Sequence, residues 1–144
     1  MNWNDDVANP MLWQPSQLQI DNSQISKFRE VVNEKYNLNL ADYQDLYDWS
    51  ISNSEDFWES MWNFGHIISS ESYTQICDDI HKIPGATWFS GVKLNFAENL
   101  LRFKDDNIAI KFYGESQVYR ELTYSQLYNE VETFATALRN MGVQ

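Results

Sequence analysis

The fold class is decided by residues 108–142, which run IAIKFYGESQVYRELTYSQLYNEVETFATALRNMG. Ile108, Ile110 and Phe112 alternate with residues of mixed polarity, and a period of two is the pattern of a half-buried strand. The Gly-Glu-Ser sequence at 114–116 is typical of a turn, and a second strand is expected over 118–122. Residues 108–122 are therefore predicted to form a β-hairpin.

An amphipathic helix is expected directly after the hairpin. Thr123 and Gln126 have the spacing of a capping box, in which each side chain bonds the backbone amide of the other residue. Gly142 stands where helices commonly end in the left-handed conformation. Between these ends, apolar residues recur at helical spacing at Leu127, Val131, Phe134, Leu138 and Met141.

This hairpin and helix form an incomplete unit by physical chemistry alone. A two-stranded hairpin is marginally stable in water, and one amphipathic helix covers one of its two faces. We therefore expect further strands, from elsewhere in a larger assembly, beside residues 108–122.

The upstream region is predicted to be mostly helical and rich in aromatic residues. A first helix is expected to start at an Asp21 N-cap with Gln24 as its N3 partner, and a second helix should cover about 42–51. A third helix should follow the Ser-Asn-Ser interruption at 52–54, stop at Gly65 and be buried on more than one side. The buried face of the first helix is predicted to contain Ile25, Phe28, Val32 and Tyr36.

Three further segments complete the expected organisation. Residues 1–20 should be an irregular, extended arm held by Trp3 and Trp13. A helix starting at Ser72 is expected to place Tyr73, Ile76 and Ile80 on one face. Asn95 and Glu98 resemble another N-cap, which would open a short helix up to about residue 101.

Charge excludes several classes of partner. The chain has 144 residues and a net charge of −11, with no run of Lys or Arg. Such a surface is repelled by nucleic acids and by anionic membranes. A secretory signal and a membrane-spanning stretch are both missing from the sequence, and the single cysteine cannot form an internal disulfide, so a cytoplasmic location is expected.

Polar clusters give weak candidates for chemistry. Cys77 and His81 have i, i+4 spacing, but two ligands are too few for a structural metal site, and an orienting group for a nucleophilic dyad is not identified. Paired carboxylates occur at 5–6, 78–79 and 105–106, where solvated turns or caps are the favoured interpretation. His66 and Arg102 could contact a nucleotide or coenzyme A in an assembled enzyme, but no argument from position supports them.

The aromatic side chains allow two interpretations. Exposed aromatic rings can stack on sugars, which would suit a carbohydrate-binding domain. Trp58 and Trp62, however, stand at helical spacing within an apolar run, which favours packing in a core or at a domain interface.

Several strings together resemble one enzyme family. The sequence WFSGVKLNFAENLL at 88–101 resembles the Trp-Phe-x-Gly-x-x-Leu-Asn-x-Ala-Glu-Asn segment of acetoacetate–CoA ligases. WQPS at 13–16 resembles their opening, and YQDL at 43–46, followed by Trp49-Ser50 and Phe57-Trp58, resembles their helical N-terminal region. ELTYSQL at 121–127 is similar to a segment found across adenylate-forming enzymes. Asn-Leu-Leu-Arg at 99–102 differs from the string usual in acetyl–CoA synthetases, so the resemblance favours the acetoacetate branch.

The resemblance implies a fold and an activity. It implies an α/β enzyme, α+β within this piece, with an N-terminal helical region at 1–104 and the start of the AMP-dependent ligase domain at 105–144. Full-length members use ATP and Mg²⁺ to convert acetoacetate to an acyl-adenylate, which coenzyme A then attacks to give acetoacetyl-CoA. The remainder of the ligase, in cis or in trans, would be the partner of this chain.

The residues that handle ATP in that family have no match here. The five glycines are dispersed, so a glycine-rich phosphate loop is missing, and no Walker-type sequence occurs. We therefore assign no catalytic, cofactor-binding or metal-binding residue, and expect the chain alone to bind no cofactor and to be inactive, as a fragment. Two alternatives are a stand-alone interaction module, which docks on a separate catalytic chain through the hairpin edge, and an acetyl-CoA synthetase-like N-terminal domain.

Overall fold

The computed structural model describes residues 12–117 and 119–143, which form helices and short antiparallel strand pairs. The strands form two two-stranded sheets, β1 with β2 and β3 with β4. This is the mixed architecture that the sequence predicts. The elements, in chain order, are α1 (Gln17–Asp21), α2 (Gln24–Tyr36), α3 (Tyr43–Ser52), α4 (Ser54–Phe64), β1 (Gln75–Cys77), β2 (Trp88–Ser90), α5 (Phe96–Leu100), β3 (Ile108–Tyr113), β4 (Tyr119–Thr123) and α6 (Tyr124–Asn140).

The described residues divide into two compact units. The helical unit contains residues 12–66 and 76–87, and the hairpin unit contains 67–75, 88–117 and 119–143. The sequence-based boundary between 104 and 105 concerns the domains of a parent enzyme and stays a prediction. Among the described residues, the helices all lack the length and apolarity needed to cross a bilayer.

The helical unit has a small core of its own. Phe28, Val32 and Leu46 are almost completely buried, and Val32 has no exposed surface. The Phe28 ring meets the Phe57 ring edge-on at 5.7 Å between centroids, a favourable geometry for aromatic pairs. Six further residues pack around this core, namely Tyr36, Leu40, Trp49, Phe57, Met61 and Phe64.

The start of the helical unit differs from the prediction. The expected extended arm is wrong over 17–20, because the Ser16 and Gln19 side chains form a capping box that opens α1. Asp21 is the last residue of α1 and not an N-cap. The cap of α2 is Ser23, whose hydroxyl accepts a hydrogen bond from the Ser26 amide at 3.2 Å.

Two predicted packing positions in the helical unit, Trp13 and Ile25, are also wrong. Trp13 is 74% exposed, so it is not a packing contact, and Trp3 lies outside the described residues. Ile25 is exposed, whereas Phe28 and Val32 on the same helix are buried as expected. Trp58 is 44% exposed, so its ring does not lie in the core; its packing at a domain interface and the burial of α4 on more than one side stay predictions.

The boundaries of α3 and α4 are as the sequence predicts. Asp42 caps α3 by accepting the Asp45 amide at 3.0 Å, and the helix ends at Ser52. Asn53 separates it from α4, which ends before Gly65. The polar residues at 52–54 therefore interrupt the helical path, because their side chains bond nearby backbone groups.

The helix expected from Ser72 is wrong. Residues 75–77 form strand β1, which pairs with β2, and Cys77 is buried within it. β-Branched and aromatic residues suit a pleated strand as well as a helix, and in a short apolar run the distant pairing partner decides.

The hairpin unit contains the predicted β-hairpin. Lys111 faces Glu121 across the strands and their side chains form an ion pair at 3.3 Å, while Phe112 faces Arg120. The register shifts between Ile108 and Ile110, as at a β-bulge. Val118, expected within the second strand, lies outside the described residues.

Both ends of α6 match the prediction. The Thr123 hydroxyl accepts the Gln126 amide at 3.2 Å, and the Gln126 side chain accepts the Thr123 amide at 3.0 Å. At the other end, the amides of Gly142 and Val143 bond the carbonyls of Arg139 and Leu138. Gly142 has a φ of +89°, so this is the Schellman arrangement that favours glycine.

Candidate interaction site

The segment at 88–101, which we call the signature segment, is fastened to residues 68–74 of the same unit. The Thr74 amide donates to the Ser90 carbonyl at 2.8 Å, and Glu71 and Lys93 form both a β-bridge and an ion pair at 2.8 Å. These contacts, with those of Asn99 below, tie the signature segment to its neighbour along most of its length. The strings that carry the family resemblance therefore have a structural role in this chain.

Asn99 makes a two-point contact with the backbone of Ile68. Its Oδ1 accepts the Ile68 amide at 2.8 Å, and its Nδ2 donates to the Ile68 carbonyl at 2.8 Å. The side chain thereby replaces a strand neighbour, which satisfies both polar groups of that peptide backbone. Sequence reasoning missed this role, because a contact across 31 positions leaves no local signal.

Short-range capping orients the rest of the signature segment. Asn95 caps α5 by accepting the amides of Ala97 and Glu98, as the sequence predicts. Among the described residues of the hairpin unit, the large hydrophobic side chain that is buried is Leu101, directly after α5.

A groove beside α5 and α6 contains charges of both signs. It has a volume of about 540 Å³. The Lys104 ammonium lies 3.6 Å from the centroid of the Tyr128 ring, a cation–π contact. Carboxylates lie among the cations, so the groove does not have the one-signed lining that attracts phosphate. Its charged residues are Glu98, Arg102, Lys104, Glu132 and Arg139.

The hairpin unit also exposes large apolar side chains, which we call the open face. The name covers four of them, namely Ile110 and Phe112 of β3, with 44% and 54% exposed, and Val131 and Phe134 of α6, with 37% and 66% exposed. Helix α6 packs against both strands, but none of its residues is buried. The apolar stripe that the sequence predicts on α6 is therefore present, but it is only partly covered.

The paired carboxylates that the sequence offered as candidates have structural roles where the structure describes them. Asp78 lies in a turn, where it accepts the Thr87 and Asp79 amides and the Lys82 ammonium. Asp105 accepts the Asn107 amide in another turn, whereas Asp5 and Asp6 lie outside the described residues.

The structure does not form the helical Cys77–His81 pair. Cys77 is a buried strand residue, and the His81 amide bonds the Asp79 carboxylate in the following turn. Across residues 12–117 and 119–143, three or more His, Cys, Asp or Glu side chains do not come together in a geometry suited to a metal.

The helical unit has an apolar groove beside its core. It has a volume of about 390 Å³, and exposed Tyr43 and Tyr47 stack along one wall at 6.4 Å between ring centroids. Its polar lining is limited to Gln24, Ser50 and the tyrosine hydroxyls.

His66, which the sequence offered as a possible contact to a nucleotide or coenzyme A, follows α4 with a φ of +49°. Its amide donates to the Asn63 carbonyl.

Comparisons with known proteins agree with this architecture. Residues 43–100 match the family model described as the acetyl-coenzyme A synthetase N-terminus. An acetoacetyl-CoA synthetase of Danio rerio is 39% identical over 143 residues, covering 96% of this chain and 21% of the relative. A malonamoyl-CoA synthetase of Penicillium aethiopicum is 33% identical over 129 residues, covering 85% of this chain and 18% of the relative. The solved acetoacetyl-CoA synthetase of Streptomyces lividans superposes with a TM-score of 0.80 at 29% identity, covering 94% of this chain and 22% of that structure.

The fold and these matches make the chain similar to the N-terminal region of enzymes of the acyl-CoA synthetase superfamily. Within that superfamily, its homologues over most of its length are acetoacetyl-CoA synthetases. The chain spans about a fifth of the length of the relatives that it matches.

Proposed function

We propose that this chain is the N-terminal part of an ATP-dependent, AMP-forming acetoacetate–CoA ligase. The whole enzyme would convert acetoacetate, ATP and coenzyme A to acetoacetyl-CoA, AMP and pyrophosphate. The observation that carries the proposal is the match of almost the whole chain to the corresponding fifth of acetoacetyl-CoA synthetases.

Residues 1–144 would supply scaffold, and other parts of the enzyme would supply the chemistry. Three observations support this division of roles. The described residues lack a carboxylate cluster suited to a metal, and their α5–α6 groove mixes both charges. A glycine-rich loop, which lets a backbone approach phosphate closely, does not occur in the sequence. The proposal therefore assigns no catalytic residue to this chain.

The most specific part of the proposal is the identity of the acid substrate. The matched relatives and the family model carry the names of three different acyl-CoA products, so similarity in this region does not by itself select acetoacetate. Two observations support acetoacetate, namely the higher identity to the Danio rerio relative and the Asn-Leu-Leu-Arg string at 99–102.

The test is a chimera in which this chain replaces the matched fifth of the Danio rerio synthetase. We expect the chimera to show acetoacetate-dependent ATP–pyrophosphate exchange and to form acetoacetyl-CoA, whereas the isolated chain shows neither activity. The intact Danio rerio enzyme is the positive control, and acetate and malonamate in place of acetoacetate are the specificity controls. Exchange by the isolated chain, or a folded chimera that prefers another acid, would overturn the proposal.

A stand-alone interaction module is the second candidate function, and the open face is the observation that favours it. It differs from the first in having the catalytic part on a separate polypeptide. Stoichiometric co-purification of the natural chain with such a polypeptide would support it, and a monodisperse monomer under the same conditions would count against it.

A further inference from the structure

A second groove, which we call the arginine groove, adjoins the apolar groove of the helical unit. It has a volume of about 320 Å³, and residues of α1 and the first turns of α2 and α3 line it, Arg29 among them. Ile25, Tyr43 and Leu46 line both grooves. Leu46 is almost completely buried, whereas Ile25 and Tyr43 are 48% and 63% exposed. The two grooves therefore share a floor and a rim, and one ligand can extend from one groove into the other.

The arginine groove contains a cation that the described residues leave without a counter-charge. Among the residues that line it, Arg29 is the one with a positive charge. Its Nη1 donates to the Ala41 carbonyl, but its Nε is buried and has no hydrogen-bond acceptor within the described part of the chain. The ion pairs between described residues do not include Arg29. Because a half-buried guanidinium keeps its charge, an anion beside it is favoured.

The one carboxylate in the wall of the arginine groove is held by a helix end. Asp42 lines the groove, and its Oδ1 accepts the Asp45 amide at 3.0 Å at the start of α3. The Asp45 carboxylate accepts the Ala41 amide at 2.7 Å. The N-terminus of α2, capped by Ser23, lies in the same wall and adds partial positive charge. Arg29 and this helix end are therefore the groups that can recognise a carboxylate from outside the chain.

The apolar groove offers the surface that a hydrocarbon tail requires. The described residues that line it carry no formal charge, and exposed Tyr43 and Tyr47 stack along its wall. Its volume of about 390 Å³ falls within the range of about 300–1,000 Å³ that is typical of small-molecule sites. An alkyl chain in this groove would lose contact with water, which favours binding.

We propose that the two grooves together bind an amphiphilic carboxylate of the medium-chain fatty acid type. The carboxylate lies beside the Arg29 guanidinium, and the tail passes Ile25 and Tyr43 into the apolar groove. The net charge of −11 repels anions from the chain as a whole, so binding of a carboxylate requires a local cation of this kind. The site is separate from the acid that the proposed ligase would activate, and it does not depend on the proposed function.

The first experiment compares three ligands that share one tail. Octanoate, 1-octanol and octyltrimethylammonium are titrated into the ¹⁵N-labelled chain, and the amide shifts are followed by NMR. We expect octanoate to saturate one site, with the largest shifts in residues that line the two grooves. Octanoate should bind at least about tenfold more tightly than the alcohol, because a charge-assisted hydrogen bond adds to the same tail contact. Acetate, which lacks the tail, should not bind detectably.

The head-group contact is tested by substitutions of two cations on α2. Arg29→Gln should weaken octanoate binding at least about tenfold and octanol binding less than about twofold. Arg29→Lys, which retains the charge, should recover most of the octanoate affinity. Lys27 is an exposed cation of the same helix outside both grooves, so Lys27→Gln is the matched control and should change neither affinity by more than about twofold.

The tail contact is tested by substitutions of two apolar residues on the same helix. Ile25→Gln should weaken octanoate and octanol alike, by at least about fivefold, because it replaces an apolar contact at the junction of the grooves. Val31 is 40% exposed on α2 but lines neither groove, so Val31→Gln should have an effect of less than about twofold. Circular dichroism checks that each variant is folded. If Arg29→Gln does not fold, the comparison of the three ligands on the wild type tests the head group.

Three outcomes would overturn the proposal. The first is octanoate binding that does not saturate, and the second is an equal or higher affinity for octyltrimethylammonium, which would indicate attraction to the acidic surface. The third is self-association of the chain that Ile25→Gln abolishes, without octanoate binding, which would assign the grooves to a second copy. None of these outcomes affects the proposed function, because the chimera tests that function by a different activity.

Discussion

The helical unit and the hairpin unit use similar local devices but bury very different amounts of apolar surface. Both have capped helices, and in both an asparagine bonds the amide and the carbonyl of one distant residue, Asn33 with Leu40 and Asn99 with Ile68. Only the helical unit adds a cluster of buried apolar residues. Capping and hydrogen bonds therefore define local structure in both units, whereas the amount of apolar burial distinguishes one unit from the other.

The largest expected effect comes from a substitution in the core of the helical unit. Phe28→Ala should lower the free energy of unfolding of the helical unit by about 3–5 kcal/mol, because it removes a buried ring and leaves a cavity. Phe134→Ala should change the free energy of unfolding of the hairpin unit by less than about 0.5 kcal/mol, since the ring is mostly exposed. Urea titration followed by circular dichroism measures both, and equal losses would contradict the contrast between the units.

An intermediate effect is expected at the two asparagines. Asn99→Asp keeps an oxygen that can accept the Ile68 amide but loses the donor to the Ile68 carbonyl, so it should cost about 1–3 kcal/mol. Asn33→Asp should have a similar cost through the Leu40 carbonyl. Thermal unfolding of both variants, compared with Asn129→Asp on the exposed surface of α6, measures this. If Asn99→Asp leaves Tm unchanged, the two-point contact contributes nothing to stability.

The smallest expected effect is a pH dependence in the helical unit. The hydrogen bond from Lys82, aided by the Thr87 and Asp79 amides, lowers the pKa of Asp78 to about 2. A carboxyl whose pKa is lowered by folding stabilises the folded state above its unfolded pKa, and this contribution disappears as the pH falls from about 4 to about 2. Tm should therefore fall less steeply over that range in Asp78→Asn than in the wild type.

The control for this prediction is Asp106→Asn, a substitution of another exposed aspartate. It should retain the wild-type slope of Tm against pH. If Asp78→Asn and Asp106→Asn have the same slope, the interactions of Asp78 do not contribute to acid stability.

Features encoded by neighbouring residues were predictable from the sequence. The Thr123–Gln126 capping box, the Gly142 helix end and the hairpin all depend on contacts within a few positions, and the structure contains each of them. Asp21 shows the limit of such signals. Two capping residues, Asp21 and Ser23, stand close together, and the choice between them depends on α1, which forms upstream.

Features that depend on distant contacts were not predictable. Residues 75–77 form a strand because β2 lies beside them, and Asn99 acquires its role from Ile68. The candidate site shows the same limit. The sequence predicts an apolar stripe on α6 and an incomplete hairpin, but how much of Phe134 is covered follows from tertiary packing.

The central claim is that the helical unit has a buried apolar core, whereas helix α6 and the hairpin leave most of their apolar side chains exposed. Amide hydrogen exchange of the isolated chain tests it most directly, because it reports the opening free energy of each segment. We expect the amides of α2 and α4 to exchange at least about tenfold more slowly, relative to their intrinsic rates, than those of β3, β4 and α6. Equal or stronger protection in β3, β4 and α6 would contradict the claim.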